Sequence, residues 1–262
     1  MDELWSEEHG RKIFAETMPL SRFKKIRSNL RFDNTETRQA RLARDKLAAI
    51  RLLLDVFIDN SQTAFVLSES VTVDEQLYPY QGRCPFTQCM PSKPSKYGIK
   101  FWVLCDSESF YCFNIHLYRG KTDRLNNVSL GEHVVMNMAQ FLFGKGRNVT
   151  TDNFFTSLAL ARKLKEKQLT LVGTIRKTRK EVPKEFLNHR ARELYSSNFV
   201  FTALDSIQLV FYKTKASKMV ILLSSEHKDA QIINGEKKKP CVIHYYNSTK
   251  GGVDAMNERV GT

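Results

Sequence analysis

Over the first 68 or so residues, apolar positions recur at helical spacing. Ser21 is placed to cap a run from Arg22 to Phe32, in which Phe23, Ile26 and Leu30 share a face and Lys24, Lys25, Arg27 and Arg31 fill the rest. Asp33-Asn34-Thr35 is turn chemistry. Leu47, Ile50, Leu53, Leu54 and Phe57 then predict a second helix from about Ala43 to Phe57. At Ser70 the pattern changes to alternation: Val71, Val73 and Leu77 interleave with polar residues, which predicts a strand that carries Asp74. A basic loop rich in Pro and Gly runs from Gln81 to Gly98. Ile99–Cys105 and Phe110–Tyr118 follow as an antiparallel hairpin about the turn Asp106–Ser109.

Ser129–Phe143 reads as a helix with Val134, Met138, Phe141 and Leu142 inward, stopped by Gly144-Lys145-Gly146. Asn148–Asp152 is a strand ending on an acid, Ser157 to about Gln168 an amphipathic helix, and Leu169–Ile175 a strand. After a basic connection from Arg176 to about Arg192, three short strands (198–203, 207–212 and 219–223) form a small β-rich insertion spanning about 178–240. Lys237–Pro240 is a turn, and Val253–Val260 opens a last helix. Three antiparallel strands, helix, strand, helix, strand is the order of an RNase H-like core, whose later strands pair parallel through helical crossovers. The expected architecture is α/β: an RNase H-like mixed-sheet core over 70–262, carrying the insertion, behind an N-terminal helical region over 1–69.

Composition adds a partner class. The 262 residues are 42% hydrophobic, enough for a packed core. Lys and Arg number 41 against 28 Asp and Glu, a net charge of +13, which favours a polyanion, nucleic acid ahead of a membrane surface. No apolar run reaches the roughly 18–20 residues of a membrane span. Met1–Trp5 is acidic and lacks the pattern of a signal peptide. Five cysteines, an odd number set mostly in apolar segments, point to free thiols in a reducing compartment. Cys84 and Cys89 have no second ligand pair for zinc. Lys237-Lys238-Lys239 reads as a solvated turn or a weak nuclear-localisation patch. The absence of a Gly-rich phosphate loop implies no nucleotide cofactor.

Three acids carry the candidate chemistry. Asp74 sits mid-strand, Asp152 at a strand end and Asp254 at a helix start, so only the fold can bring them together. In an RNase H-like sheet the strands of Asp74 and Asp152 are neighbours, and a helix packed on the sheet supplies Asp254. Clustered carboxylates repel one another, and Mg²⁺ or Mn²⁺ relieves the repulsion. Two such ions about 3.5–4 Å apart serve phosphoryl transfer. The plainer alternatives stand beside this: Asp152 as a turn or cap residue, and Asp254 as a first-turn acid favoured by the helix dipole. Arg83, Lys93, Lys96 and Lys100, after the first acidic strand, and Arg176, Lys177, Arg179 and Lys180, after a later one, are candidates for phosphate contact; loop solubility explains them equally well. The basic face of the first long helix suits phosphate contact or dimerisation, or simple solvation. Tyr97 and Trp102 read as packing, and His116 and His133 as structural.

The motifs themselves resemble one family. Thr72-Val73-Asp74-Glu75-Gln76-Leu77, Gly82-Arg83-Cys84-Pro85-Phe86, Pro91-Ser92-Lys93-Pro94-Ser95-Lys96-Tyr97-Gly98-Ile99-Lys100, Cys105-Asp106-Ser107, Thr151-Asp152-Asn153-Phe154-Phe155-Thr156-Ser157, Val172-Gly173-Thr174-Ile175-Arg176-Lys177 and Tyr245-Tyr246-Asn247-Ser248-Thr249-Lys250-Gly251-Gly252-Val253-Asp254 are similar, in order, to the piggyBac transposases. The resemblance implies a DDD catalytic core in which Asp74, Asp152 and Asp254 hold two Mg²⁺ or Mn²⁺ ions. It also implies double-stranded DNA as substrate, cut at transposon ends through a hairpin intermediate and inserted at TTAA, by a homodimer in the nucleus. Active members often carry another acid where this chain has Asn257, with Glu258 on the same helix face as Asp254. The chain stops at Thr262, before the family's C-terminal Cys/His zinc-binding domain. These departures carry the alternative expectation of a fragment, a decayed copy or a domesticated, inactive DNA-binding derivative.

Overall fold

The computed structural model describes residues 2–91, 93–120, 129–188 and 192–261. Ser92 of the basic loop and residues 189–191 of the β-rich segment lie outside the described residues. The chain forms two compact units, Met1–Asp59 and Asn60–Thr262.

The first unit is helical: α1 (Lys12–Thr17), α2 (Leu20–Asn29), α3 (Thr35–Leu42) and the start of α4 (Arg51–Ala64). Trp5 packs on Phe14 and Phe23 and donates its indole N–H to Met18 O at 2.9 Å. Helix α2 starts at Leu20 rather than after Ser21, because Pro19 takes the cap position with its preset backbone angle. The single helix expected over 43–57 is not found. Asn34 Oδ1 accepts the Glu36 N–H at 2.8 Å and opens α3, so the expected turn also caps a helix. Asp33 is held in a fork of Arg38 and Arg41, and the Arg38 hydrogen bond foremost lowers its carboxyl to about 2. Asp45 then interrupts the run: it accepts the Leu47 N–H and pairs with Arg51 at 2.6 Å, so α4 begins only at Arg51. Leu47 and Leu54 are buried, while Ile50, Leu53 and Phe57 are exposed, against the face assigned to them from spacing.

The second unit is one nine-stranded sheet with helices on both faces. Its strands are β1 (Ser70–Pro79), β2 (Gln88–Cys89), β3 (Tyr97–Asp106), β4 (Cys112–Leu117), β5 (Asn148–Thr151), β6 (Thr170–Thr174), β7 (Ser197–Phe201), β8 (Gln208–Lys215) and β9 (Lys218–Ser224). They lie in the order β2-β3-β1-β5-β6-β9-β8-β7, with β4 also on β3. β1 is antiparallel to β3 and parallel to β5, and β5 is parallel to β6, as expected. The parallel pairs need crossovers, and α5 (Leu130–Met138) and α6 (Leu158–Glu166) supply them.

Val71, Val73, Trp102, Leu104, Val149 and Leu171 form the main core with Val134, Val135 and Met138 of α5 and Leu160, Ala161 and Leu164 of α6. Helix α5 ends at Met138 and gives way to a tighter turn at Gln140–Leu142, which buries Leu142 and leaves Phe141 exposed rather than inward. The β-rich segment does not stand apart: β9 pairs antiparallel with β6, so β7 to β9 extend the central sheet.

The other sheet face is covered by α7 (Cys241–Thr249) and α8 (Gly252–Gly261). Val242 and Ile243 of α7 lie on Val172, Val210 and Leu222, and Val253 and Met256 of α8 lie on Val103 and Cys105. Helix α7 is not among the elements the hydrophobic pattern predicts. Its signals are modest: Pro240 at the cap, then Val242, Ile243 and Tyr246 at helical spacing.

Candidate active site

Three parallel strands set the site. Val73, Thr151 and Gly173 occupy one row across β1, β5 and β6. The residues one step further along the three chains are Asp74, Asp152 and Thr174. β5 leaves the sheet after Thr151, so this row lies where parallel strands end and open sheets of this kind bind ligands. Strand alternation turns Thr72, Asp74, Thr150 and Asp152 toward α7 and α8. The contacts agree: Thr72 Oγ1 donates to Thr249 O, and Thr150 Oγ1 donates to Thr249 Oγ1 at 2.8 Å.

Close approach at two glycines shapes the row. A Cβ on Gly173 would meet Thr156 Oγ1 at 2.2 Å and Thr151 O at 2.6 Å, so only glycine lets the turn after Asp152 fold back over β6. A Cβ on Gly252 would meet Thr72 Oγ1 at 2.7 Å, so its absence lets α8 begin directly on β1. That placement brings the first turn of α8, with Asp254, to the strand that carries Asp74.

Asp74 and Asp152 are half-buried. Asp74 Oδ1 accepts the Glu75 N–H at 2.7 Å, and Asp152 Oδ1 accepts the Phe154 N–H at 2.8 Å. Burial foremost pushes the Asp74 carboxyl up to about 7; the charges of Asp152 and Glu75 add to this, against the Glu75 N–H and Lys93. Burial foremost also raises Asp152, with the charge of Glu75, against the Phe154 and Phe155 N–H groups and Arg176. Two carboxyls in one strand row, held above their ordinary range by burial and by neighbouring carboxylate charge, are a donor set that a hard divalent cation would discharge, so this pair fits such an ion.

Asp254 is exposed in the first turn of α8. It lines a groove of about 450 Å³ together with Glu75, Gln76, Lys93 and Asn257. Gln76 Nε2 donates to Asn257 Oδ1 at 2.5 Å, fastening α8 to β1, and Arg259 donates to Ser109 O at 3.1 Å. Among the described residues, no three Asp, Glu, His or Cys side chains stand close enough to hold one ion. Strand register sets Asp74 and Asp152 beside one another, and Asp254 lies on the helix that packs on the same face of the sheet. Burial foremost raises the phenol of Tyr246 on α7, and the charges of Asp152, Asp74 and Asp254 act on it in the same direction.

The basic candidates divide. Lys93 Nζ lies 3.5 Å from Glu75 O and acts electrostatically on Asp74. Arg176 donates to Asn153 Oδ1 at 2.9 Å and lies over the Phe154 ring, beside Asp152. Arg83, Lys96 and Lys177 are exposed on their loops. Lys100 is turned inward: it pairs with Glu75 at 2.8 Å and sits 4.0 Å above the Trp102 ring. Trp102 is core packing as expected, whereas Tyr97 is exposed. Sequence reasoning passes over Glu75, Thr174 and Tyr246. Glu75 has a signal, as a second acid beside Asp74 on a strand; the other two become visible only once β6 and α7 are placed.

The comparisons agree with this geometry. The family model described as Transposase IS4 matches residues 1–261. Human PiggyBac transposable element-derived protein 3 is 26% identical over 265 residues, covering 95% of this chain and 44% of that protein. Human PiggyBac transposable element-derived protein 2 is 24% identical over 279 residues, covering 97% and 45% respectively. A solved structure, the cryo-EM piggyBac transposase synaptic complex with hairpin DNA, matches with a TM-score of 0.92 at 38% identity, over 99% of this chain and 54% of that one. The chain thus spans about half the length of the relatives it matches. The mixed sheet, with its antiparallel first strands and parallel later ones, is an RNase H-like core that matches the one in that transposase. The chain belongs to the Transposase IS4 family, in its piggyBac-type branch.

Proposed function

We propose that the chain is the catalytic region of a piggyBac-like transposase, which cuts and joins DNA strands with divalent metal ions, Mg²⁺ or Mn²⁺, at Asp74, Asp152 and Asp254. One observation carries the reading: Asp74 and Asp152 follow the same strand row, on the face that α8 covers with Asp254. Bound there, a pair of such ions supplies an activated attacking oxygen and a stabilised leaving oxygen. Asp74 and Asp152 are fixed by strand register, and Asp254, on the helix packed over the same face, would be the third residue to hold the metal.

The substrate is double-stranded DNA: transposon ends, opened through a hairpin, and a TTAA target. Support comes from the net charge of +13 and from the matching transposase structure, a synaptic complex with hairpin DNA. Arg176 and Lys93, nearest the acids, and Arg83, Lys96 and Lys177 around them contact phosphates. Lys100 acts through Glu75 rather than on DNA directly. The protein works as a homodimer in the nucleus, its region over 1–69 serving dimerisation and DNA binding.

A second reading, a non-catalytic DNA-binding derivative, is favoured by one feature. Asn257 offers an amide rather than an acid to the groove, and it is engaged with Gln76. The test is nicking of a DNA hairpin by the purified chain in Mn²⁺, with Asp74→Ala beside it. The catalytic reading expects nicking that Asp74→Ala reduces by at least about a thousandfold. Nicking unaffected by the substitution overturns the metal role, and salt-sensitive DNA binding without nicking establishes the second reading.

A further inference from the structure

Strands β3 and β4 pair in regular antiparallel register from Phe101–Leu117 to Leu104–Asn114, and the register then shifts. Phe113 is the extra residue of this bulge, so Cys105 stands opposite Cys112 instead. The bulge sets the face as well. Phe113 is buried in the main core, whereas Cys112, like Ile115, packs with Val103 and Cys105 against Val253 and Met256 of α8. Directly opposed residues of antiparallel strands stand about 4.5–5.5 Å apart at Cα. That lies inside the roughly 4.4–6.8 Å that a disulfide spans. The end of the hairpin is clamped, since the Asp106 N–H donates to Tyr111 O at 3.0 Å and the Ser109 N–H donates to Asp106 Oδ2 at 2.9 Å. Both thiols are free. Cys105 is wholly buried and Cys112 half-buried, so a small oxidant reaches Cys112 first.

The pair lies under the seat of α8. Thr72, the partner of Cys105 on β1, is where Gly252 brings the start of α8 down. Val103, two residues before Cys105, is the partner of Asp74. Two small apolar side chains would fill this place, and a buried cysteine alone is no more than that. Two cysteines set opposite one another by a bulge can also form a bond.

We propose that Cys105 and Cys112 are a redox-modifiable pair: hydrogen peroxide oxidises them to a cross-strand disulfide, and its closure loosens α8 from β3. Cys112 sulfur attacks one peroxide oxygen; an S–O bond forms, the O–O bond breaks, and the other oxygen leaves as water with the thiol proton. Cys105 sulfur then attacks Cys112 sulfur, and the sulfenic oxygen leaves as a second water with the Cys105 proton. Two thiols are oxidised by two electrons and one peroxide is reduced to two waters. Closure draws the sulfurs to about 2.05 Å, from van der Waals contact with their surroundings into a bond with each other. Val253 and Met256, which rest on them, lose partner atoms. Where thiols are kept reduced the pair is open at rest, and its disulfide is of the transient, redox-sensing kind.

The test treats the full chain with hydrogen peroxide, alkylates the remaining thiols and maps the peptides by mass spectrometry. The expected product joins Cys105 to Cys112, lighter by two hydrogens and reopened by dithiothreitol. It should also form in a variant with serine at positions 84, 89 and 241, where the pair holds the only thiols. Amide hydrogen exchange over residues 252–261 should run about tenfold faster in the oxidised chain than in the reduced one. Cys112→Ala, at the half-buried position, should keep the slow rate under peroxide. If the alanine variant unfolds, Cys112→Ser makes the same comparison. Absence of the Cys105–Cys112 disulfide in excess peroxide overturns the pairing. Closure with unchanged exchange in α8, or equal acceleration in the Cys112 variant, overturns the link to α8. Neither readout depends on metal binding or nicking, so the outcome stands apart from the function proposed above.

Discussion

Asp74 and Asp152 are placed by backbone, Asp254 by side chains. The first two follow a parallel ladder from Ser70–Asn148 to Val73–Thr151, whose register cannot slip without turning every side chain to the other face. The third rides on α8, which meets the sheet through Gly252 on Thr72, Val253 and Met256 on Val103, and the Gln76–Asn257 hydrogen bond. A ladder tolerates charge repulsion without moving. A short helix held by a few contacts settles where its acid is not forced against two others, and Asp254 is accordingly exposed. Carboxylates that the backbone forces together carry a raised pKa, as Asp74 does.

The sharpest way to break this contrast is to delete the acids one at a time. Asp152→Ala should abolish Mn²⁺-dependent nicking, by about a thousandfold or more, and should remove most Mn²⁺ binding. Asp254→Ala should abolish nicking as well but reduce Mn²⁺ affinity by only about tenfold, because the register-fixed pair remains. Equal losses of binding in the two variants would show that the helix-borne acid is as firmly placed as the strand-borne ones.

A smaller but sharper test uses stability without metal. A carboxyl whose folded pKa is raised binds its proton more tightly in the folded chain than in the unfolded one. The folded state therefore loses stability as pH climbs from about 4, the unfolded pKa, to about 7, and the loss is level above that. Asp74→Asn removes the charge and should stabilise the metal-free chain by about 2–4 kcal/mol at pH 8, shrinking to about 1 kcal/mol near pH 4.5. Urea denaturation in chelator at the two pH values measures this. A gain that does not depend on pH would mean that Asp74 is not strained by its surroundings. Asp254→Asn, on an exposed side chain, is the reference substitution.

Gly252→Ala addresses the helix side. The added Cβ meets Thr72 Oγ1 and Cβ, groups on a buried strand that cannot swing aside. The start of α8 must lift, at a cost of about 1–3 kcal/mol to stability. Nicking should fall with it, while the β1–β5 pair keeps most of its Mn²⁺ affinity. Full activity would show that α8 need not lie on β1 for the reaction.

The same division explains what is legible in the sequence. The hydrophobic alternation of β1 is local and strong, and β5 and β6 read as short strands between helices, so the order of an RNase H-like core places Asp74 and Asp152 beside one another. Helix α7 is illegible because Tyr245, Asn247, Ser248 and Thr249 are poor helix formers, and it docks partly through polar contacts with Ser70, Thr72 and Thr150. The N-terminal helices are misdivided because spacing shows an apolar face but not the pairing of Asp45 with Arg51 that interrupts it. Attachment of β9 to β6 is a pairing between strands distant in sequence, which no local pattern announces. Phe141 is misassigned for a related reason: its helix tightens after Met138, and the turn that follows points a different residue inward.

The smallest expected effect is the most discriminating between the two functional readings. Asn257 lines the groove with Asp254 and Glu75, and its Oδ1 accepts from Gln76. Asn257→Asp keeps an acceptor oxygen in the same place, so the Gln76 contact and the seat of α8 should survive, with stability changed by no more than about 0.5 kcal/mol. What changes is the charge on the helix-borne side of the site. If α8 contributes ligands, a second acid on its groove-lining side should strengthen Mn²⁺ binding severalfold, and nicking should rise with it. The gain should vanish in Asp74→Ala, because an acid on α8 has nothing to complete once the register-fixed pair is broken. A gain that survives Asp74→Ala would mean that the groove holds metal by itself. No gain, with the Gln76 contact intact, would mean that α8 is a structural cover rather than a source of ligands, and the strand pair would stand alone as the metal-binding part of the site.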